Sequence, residues 1–206
     1  MLAGVILLLS NLCATKLFNF FGISVDAGVI IYPLSYVIGD VLIMISPDKR
    51  IPRIILWVAF AANLMAAGVF YFAIKLPAFE GWENQEAFET IFGFAPRVIL
   101  ASLAAFISSG LINILAFRRL GDTKKGLFLR AFGSSAVAKA FDILIFELVA
   151  FLGVLTIEQF IVQTIFAYGI GLLLEIPLSA LACALVKIFK LQPEKVVKKA
   201  EKPETT

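Results

Sequence analysis

Six long apolar stretches follow one another along the chain, separated by polar connectors. They cover residues 1–21, 27–45, 53–76, 96–117, 131–155 and 159–189. A helix needs about 20 mostly apolar residues to cross the hydrocarbon core of a bilayer, and each stretch reaches or approaches that length. The sequence therefore predicts an all-α, polytopic membrane protein with six transmembrane helices.

Composition supports this prediction. The chain is 61% hydrophobic and 16% charged, whereas soluble domains are about 45–50% apolar and about 25% charged. There is no His, which excludes a His-ligated metal and a His general base. Cys13 and Cys183 stand in separate apolar runs, so we expect buried thiols and no disulfide framework. No metal site and no cofactor is predicted.

The connectors alternate between basic and non-basic. Lys and Arg occur in the 46–53 and 118–130 loops and beyond residue 186, whereas the 77–95 loop holds four Glu and no basic residue. The positive-inside rule then places both termini in the cytoplasm. Residues 1–190 form the predicted membrane domain. Residues 191–206 are a charged, disordered cytoplasmic tail whose mixed charges do not favour nucleic acid.

Two local predictions concern the longest connector and the start of the fourth predicted helix that follows it. Residues 77–95 contain Trp82 and several Phe, which predicts an amphipathic helix at the membrane interface. Pro96 would then occupy the first turn of the fourth membrane helix, the position that proline favours. Arg97 would lie at the membrane edge, where arginine usually extends toward the headgroups.

Ionisable residues inside predicted spans are costly, so each one is a candidate for function. Tyr36 and Asp40 are one turn apart on the second helix, so they share a face. A carboxylate and a phenol on one face predict a polar binding pocket. The alternative is a structural carboxylate paired with Arg50 or Arg53.

The fifth and sixth helices carry the other candidates. Lys139 and Asp142 are three residues apart, with Ser135 one turn earlier. They form either a self-neutralising pair or a pocket that a polar ligand opens. Glu147 is expected to reach the interface. Glu175 lies deeper, so it and Asp142 are the candidates for proton coupling.

Uncharged polar residues also occur inside the spans. Asn11, Asn63 and Asn113 stand on the first, third and fourth helices, and we expect them to bridge helices or to bind a heterocycle. No phosphate loop, metal spacing or nucleophile–base pair occurs, so no enzyme is predicted. An intramembrane protease using Asp40 and Asp142 is disfavoured, because the flanking glycine signals of such enzymes are missing.

Several short blocks, in order, resemble the VUT family of vitamin uptake transporters, which includes transporters of queuosine precursors. The blocks are SNLCATK at 10–16, VDAG at 25–28, PLSYVIGD at 33–40, NQEAFET at 84–90, PRVILAS at 96–102, and GSS at 133–135 followed by Asp142. The resemblance implies a six-helix inner-membrane importer of a 7-deazapurine base, preQ0 or preQ1, with kinship to the substrate-binding subunits of energy-coupling-factor importers. It implies contacts from Asn11, Tyr36, Asp40 and Asp142, with Arg97 near the mouth.

The chain departs from the family pattern at several polar positions. Met44, Ser46 and Pro47 stand where the pattern has Glu, Tyr and Gly, and Lys139 stands where many members have Gln. These departures indicate a divergent member and leave the ligand open. Three functions remain: a transporter of a small heterocycle, a binding subunit that needs an energy-coupling module, and a membrane scaffold. The expected partners are a small-molecule substrate and the bilayer, with a homo-oligomer or an energy-coupling module as alternatives.

Overall fold

The structure is a computed structural model that describes residues 2–46, 48, 50–119 and 126–188. Within these ranges the side chains at 36, 43, 113–114, 116–119, 126–135, 175–176, 179 and 183 are outside the description. The predicted tail at 191–206 also lies outside the described residues.

Helices make up most of the described chain, and a single hairpin interrupts them. The elements are α1 Leu2–Cys13, β1 Leu17–Phe20, β2 Ile23–Asp26, α2 Gly28–Ile31, α3 Pro33–Ile45, α4 Arg50–Lys75, α5 Gln85–Arg119, α6 Gly126–Phe151 and α7 Ile157–Ile188. The helical class predicted from the sequence is therefore correct apart from the two strands.

The hairpin contradicts the first predicted helix, which covers residues 1–21. Helix α1 ends at Cys13, and β1 pairs antiparallel with β2 from Leu17–Asp26 to Phe20–Ile23. Phe21 and Gly22 form the turn, with φ angles of 50° and 88°. Positive φ at both central residues is the geometry of the tight turns that suit a twisted hairpin. Apolarity alone did not distinguish this aromatic strand from helix.

The region from residue 77 to Pro96 also differs from the prediction. No separate interfacial helix forms there; instead α5 begins at Gln85 and continues through Pro96, which lies inside the helix. Proline removes one helical hydrogen bond, but in membrane helices neighbouring segments make this tolerable. The buried side of α5 around Pro96 includes Ala95, Val98 and Ala101. Small side chains there let α6, the main partner of α5, approach closely.

Three described helices are long and apolar enough to cross a membrane: Arg50–Lys75, Gln85–Ile112 and Ile157–Leu174. Their outer faces remain apolar, as at Met65, Phe72 and Ile165, each more than 60% exposed. A soluble monomer rarely leaves such large apolar faces in water. The chain is a membrane protein. Helices α1 and α3 are apolar but shorter.

The tertiary arrangement places α5 at the centre. It packs on α6, α4 and α1, while α3 packs on α7 and the second strand also meets α7. Asn11 on α1 donates from Nδ2 to Oδ1 of Asn63 on α4 at 3.1 Å, and both residues are buried. The helix bridge predicted for these two asparagines is confirmed. A cavity lies among α1, α2, α5, α6 and α7.

Candidate functional site

The cavity has a volume of about 80 Å³, which is room for several water molecules. Its lining is mostly apolar, with a small number of polar groups. The polar residues are Ser10, Asn11, Asp26, Tyr32, Ser102, Asp142 and Glu147. An apolar enclosure with few convergent polar groups is the usual form of a small-molecule site.

Asp142 is held in a fixed position by two hydroxyl donors from other helices. Ser109 Oγ on α5 donates to its Oδ1 at 2.9 Å, and the Tyr32 hydroxyl between α2 and α3 donates to its Oδ2 at 3.2 Å. Both bonds restrain the carboxylate without neutralising its charge. Asp142 is thus a preorganised acceptor at the cavity wall.

Lys139 lies one turn before Asp142 and connects α6 to α7. Its Nζ donates to the backbone carbonyl of Gly171 at 2.9 Å, and its positive charge acts on Asp142. A side chain at position 171 would bring a Cβ to 3.4 Å from Cδ of Lys139. Gly171 therefore gives the lysine room to cross between the two helices.

Glu147 contradicts the prediction that it reaches the interface. Its side chain is 1% exposed, and Oε2 accepts a hydrogen bond from Nε2 of Gln163 on α7 at 2.8 Å. Oε1 of the fully buried Gln163 has no hydrogen-bond partner among the described residues. The prediction failed because α7 packs over the last turns of α6 and removes access to the interface.

Asp26 is not among the site residues predicted from the sequence, yet it is 5% exposed and lines the cavity. Its carboxylate accepts hydrogen bonds from the backbone N–H groups of Gly28 and Val29. Gly28 lies so close to α1 that an added Cβ would be 2.7 Å from the carbonyl oxygen of Ser10. The sequence signal was an Asp two residues before a Gly, the pattern of a side chain that caps a turn.

The residues predicted from sequence are only partly brought together. Asn11 and Asp142 line the cavity. The described lining does not include Asp40, which is partly buried on α3. The side chains of Tyr36, Ser135 and Glu175 lie outside the described residues.

Arg97 lies at the end of α6 rather than in the described lining of the cavity. Its Nε donates to the carbonyl of Val149 at 2.7 Å, and its Nη2 donates to that of Leu152 at 2.6 Å. The last carbonyls of a helix have no partner within the helix, and a nearby cation also favours the negative end of the helix dipole. Arg97 thus caps α6 from its neighbour α5.

The family model described as "Putative vitamin uptake transporter" matches residues 26–182. The chain belongs to this family. The chain is also similar to a "Probable queuosine precursor transporter" of Bacillus subtilis (strain 168), with 36% identity over 151 residues. That match covers 70% of this chain and 64% of the relative's length. No solved structure matches the chain.

These comparisons confirm the resemblance predicted from the short sequence blocks. The matched family is described as one of transporters and the relative is named as a transporter, which agrees with the function class expected from the sequence. The matched region includes most of the polar cavity residues, from Asp26 to Glu147, whereas α1 precedes it. The cavity is thus formed largely by the part of the chain that defines the family.

Proposed function

We propose that the transporter imports a small heterocycle, a 7-deazapurine queuosine precursor such as preQ0 or preQ1, through the cavity described above. The observation that carries this proposal is Asp142, a carboxylate fixed by Ser109 and Tyr32 and facing the cavity. The printed name of the Bacillus subtilis relative supports the substrate class.

The chemistry of the cavity suits such a base. A deazaguanine presents adjacent N–H donors along one edge, and a carboxylate accepts two parallel hydrogen bonds from donors of that kind. Two aromatic side chains, Tyr32 and Phe146, also line the cavity, and their rings can stack on the flat faces of a bicyclic base. The base would displace the small volume of water that the cavity accommodates.

We further propose six crossings with both termini cytoplasmic, as the alternation of basic loops predicts. Helix α1 has 12 residues and measures about 18 Å, which is shorter than the hydrocarbon core of about 30 Å. Strand β1 adds about 13 Å. The two lengths together reach about the thickness of the hydrocarbon core, so we assign the first crossing to α1 and β1 together. Substrate would pass by alternating access, with proton coupling through Asp142 or Glu175.

Uptake of labelled preQ1 and preQ0 by cells that lack other routes tests the proposal. Asp142→Asn keeps the size of the side chain but removes its charge, and we expect uptake to fall at least about tenfold, the loss of a charged hydrogen bond. Asp48→Asn is the matched control, because Asp48 is exposed at the start of α4 and Asn can replace its capping bond to Arg50 N–H. Equal uptake by the two variants would exclude the proposed pocket, and no uptake by the wild type would exclude the substrate class.

A further inference from the structure

The charged residues that line the described cavity are all acidic. Three carboxylates line it, those of Asp26, Asp142 and Glu147, and no Lys or Arg occurs among the described lining residues. They come from two different parts of the fold, the end of β2 and the second half of α6. The hydroxyl and amide groups around them supply hydrogen bonds but no positive charge.

The two ends of the cavity differ in how far the negative charge is balanced. Asp142 has the charge of Lys139 close by. Asp26 and Glu147 instead act on each other, with the repulsion of like charges. Isolated buried charges are costly unless they meet an opposite charge. The Asp26–Glu147 end is therefore the part of the cavity that gains most from a cation.

The surroundings of Glu147 are also short of hydrogen-bond donors. Gln163 gives its amide N–H to Glu147, and its own Oε1, fully buried, has no partner among the described residues. A protonated primary amine has three donors and no acceptor. It matches a cavity wall that offers two carboxylates, and the unsatisfied carbonyl oxygen of Gln163 is buried on the residue that bonds Glu147.

We propose that the cavity selects a ligand that carries a protonated amine, with Asp26 and Glu147 holding the ammonium group and Asp142 holding the opposite, donor edge of the base. The inference rests on the proposed function and deepens it: an aminomethyl 7-deazapurine is the preferred substrate over its neutral nitrile counterpart. Asp142 and Glu147 are five residues apart on α6, about 7.5 Å along the helix axis. That separation suits the two ends of a substituted bicyclic base.

A bare metal ion fits this end less well than an amine. The described residues contain no group of three or more Asp, Glu or Cys side chains arranged to hold a metal ion. Two carboxylates leave a metal ion with too few ligands, whereas their four oxygen atoms can accept the three N–H bonds of an ammonium group. The ligand charge is therefore assigned to an organic amine.

The test measures dissociation constants for preQ1, whose aminomethyl group is protonated at neutral pH, and for preQ0, whose nitrile is neutral. The full chain in detergent is titrated with each compound and the shift in melting temperature is followed, since bound ligand stabilises by mass action. We expect preQ1 to bind at least about tenfold more tightly, the value of a charged hydrogen bond relative to a neutral contact. In Glu147→Gln the ratio of the two constants should fall toward one, while exposed Glu83→Gln keeps it.

Each outcome bears on a different claim. Equal affinities for both compounds in the wild type would overturn the selectivity for an amine and leave the 7-deazapurine function standing. Binding of neither compound would overturn the proposed function together with this inference. Stabilisation by sodium chloride, absent with choline chloride and competing with preQ1, would overturn the inference in favour of an ion site. Because the comparison of ligands uses the wild type, it holds even if a variant fails to fold.

Discussion

The α5–α6 pair and the segment from residue 14 to Tyr32 are built in opposite ways. The pair consists of long, continuous helices whose buried side is rich in small residues such as Ala95, Ala101 and Ala150. The segment contains a hairpin, a four-residue helix and a break before Pro33. Regular helices satisfy their own backbone, whereas the segment depends on contacts with neighbouring elements.

The α5–α6 pair is the scaffold of the molecule, and the segment from residue 14 to Tyr32 completes the site on it. Helix α6 contributes Asp142 and Glu147 at positions set by its own regularity, and the segment brings Asp26 and Tyr32 against them. Irregular backbone is tolerated inside a membrane protein only where protein or a water-filled cavity surrounds it. We therefore expect changes in the segment to disturb the cavity and the fold together, and changes in the scaffold away from the cavity lining to act on stability alone.

The strongest test is Gly28→Ala. An added Cβ would lie 2.7 Å from the Ser10 carbonyl oxygen and 2.8 Å from Asp26 Oδ1, so α1 and α2 must separate. We expect the free energy of unfolding to fall by about 3 kcal/mol, the upper range for overpacking. Thermal unfolding in detergent measures it. Gly68→Ala on α4 is the control, because nothing lies within 4 Å of its added Cβ and Ala favours helix by about 1 kcal/mol.

A similar melting temperature for the two glycine variants would mean that the segment accommodates the added Cβ at position 28 with little loss of stability. The contrast between a fixed segment and a regular scaffold would then be lost. A lower melting temperature for Gly28→Ala alone would locate the constraint at the contact between α1 and α2.

Arg97→Met tests the scaffold side. The substitution removes two hydrogen bonds from the guanidinium to the Val149 and Leu152 carbonyls, and we expect a loss of about 2 kcal/mol, within the range for hydrogen bonds to a charged group. The dissociation constant for ligand should stay unchanged, because the described cavity lining does not include Arg97. Exposed Arg53→Met is the control for loss of a positive charge. A larger dissociation constant in Arg97→Met, which means weaker binding, would instead support the position at the pocket mouth that the family resemblance implies.

Gly22→Ala separates backbone strain from crowding. Gly22 has a φ of 88° and open space around the position of its missing Cβ, so a side chain there is strained but not crowded. A left-handed conformation costs an L-residue about 1 kcal/mol, and Asn tolerates it better than Ala. We expect Gly22→Ala to lose about 1 kcal/mol in thermal unfolding, and Gly22→Asn to lose less. Equal losses for Ala and Asn would contradict the tight-turn geometry.

The sequence predicted the scaffold better than the site. Apolar length located α4 and α7 to within about three residues and α6 to within about five, whereas the second predicted helix corresponds to α2 and α3 together. It failed at Pro96, because the preference of proline for a first turn is local, whereas packing on α6 lets the helix continue through it. It also failed at residues 17–26, where aromatic residues have the apolarity of a membrane helix but form strands.

The site residues show the same division. Asp142 was singled out because an ionisable residue in an apolar run is conspicuous whatever surrounds it. Asp26 lies outside the predicted spans, where an acidic residue is not unusual. Glu147 is predicted to lie at the interface. What brings both to the cavity is the covering of α6 by the hairpin region and α7. That arrangement depends on long-range packing, which one sequence does not encode as a local pattern.

The smallest expected effect comes from the bond that ties α1, next to the irregular segment, to the scaffold helix α4. Asn63 accepts from Asn11 and also donates to the Ala59 carbonyl at 2.9 Å, while being fully buried. A double-mutant cycle of Asn11→Ala and Asn63→Ala should give a coupling energy of about 0.6 kcal/mol, the average for hydrogen bonds between membrane helices. A coupling near zero would show that α1 is held by apolar contact and by Gly28 alone. Because Asn11 also lines the cavity, ligand affinity should fall in Asn11→Ala more than in Asn63→Ala, which separates the bridging role of this pair from its part in the site.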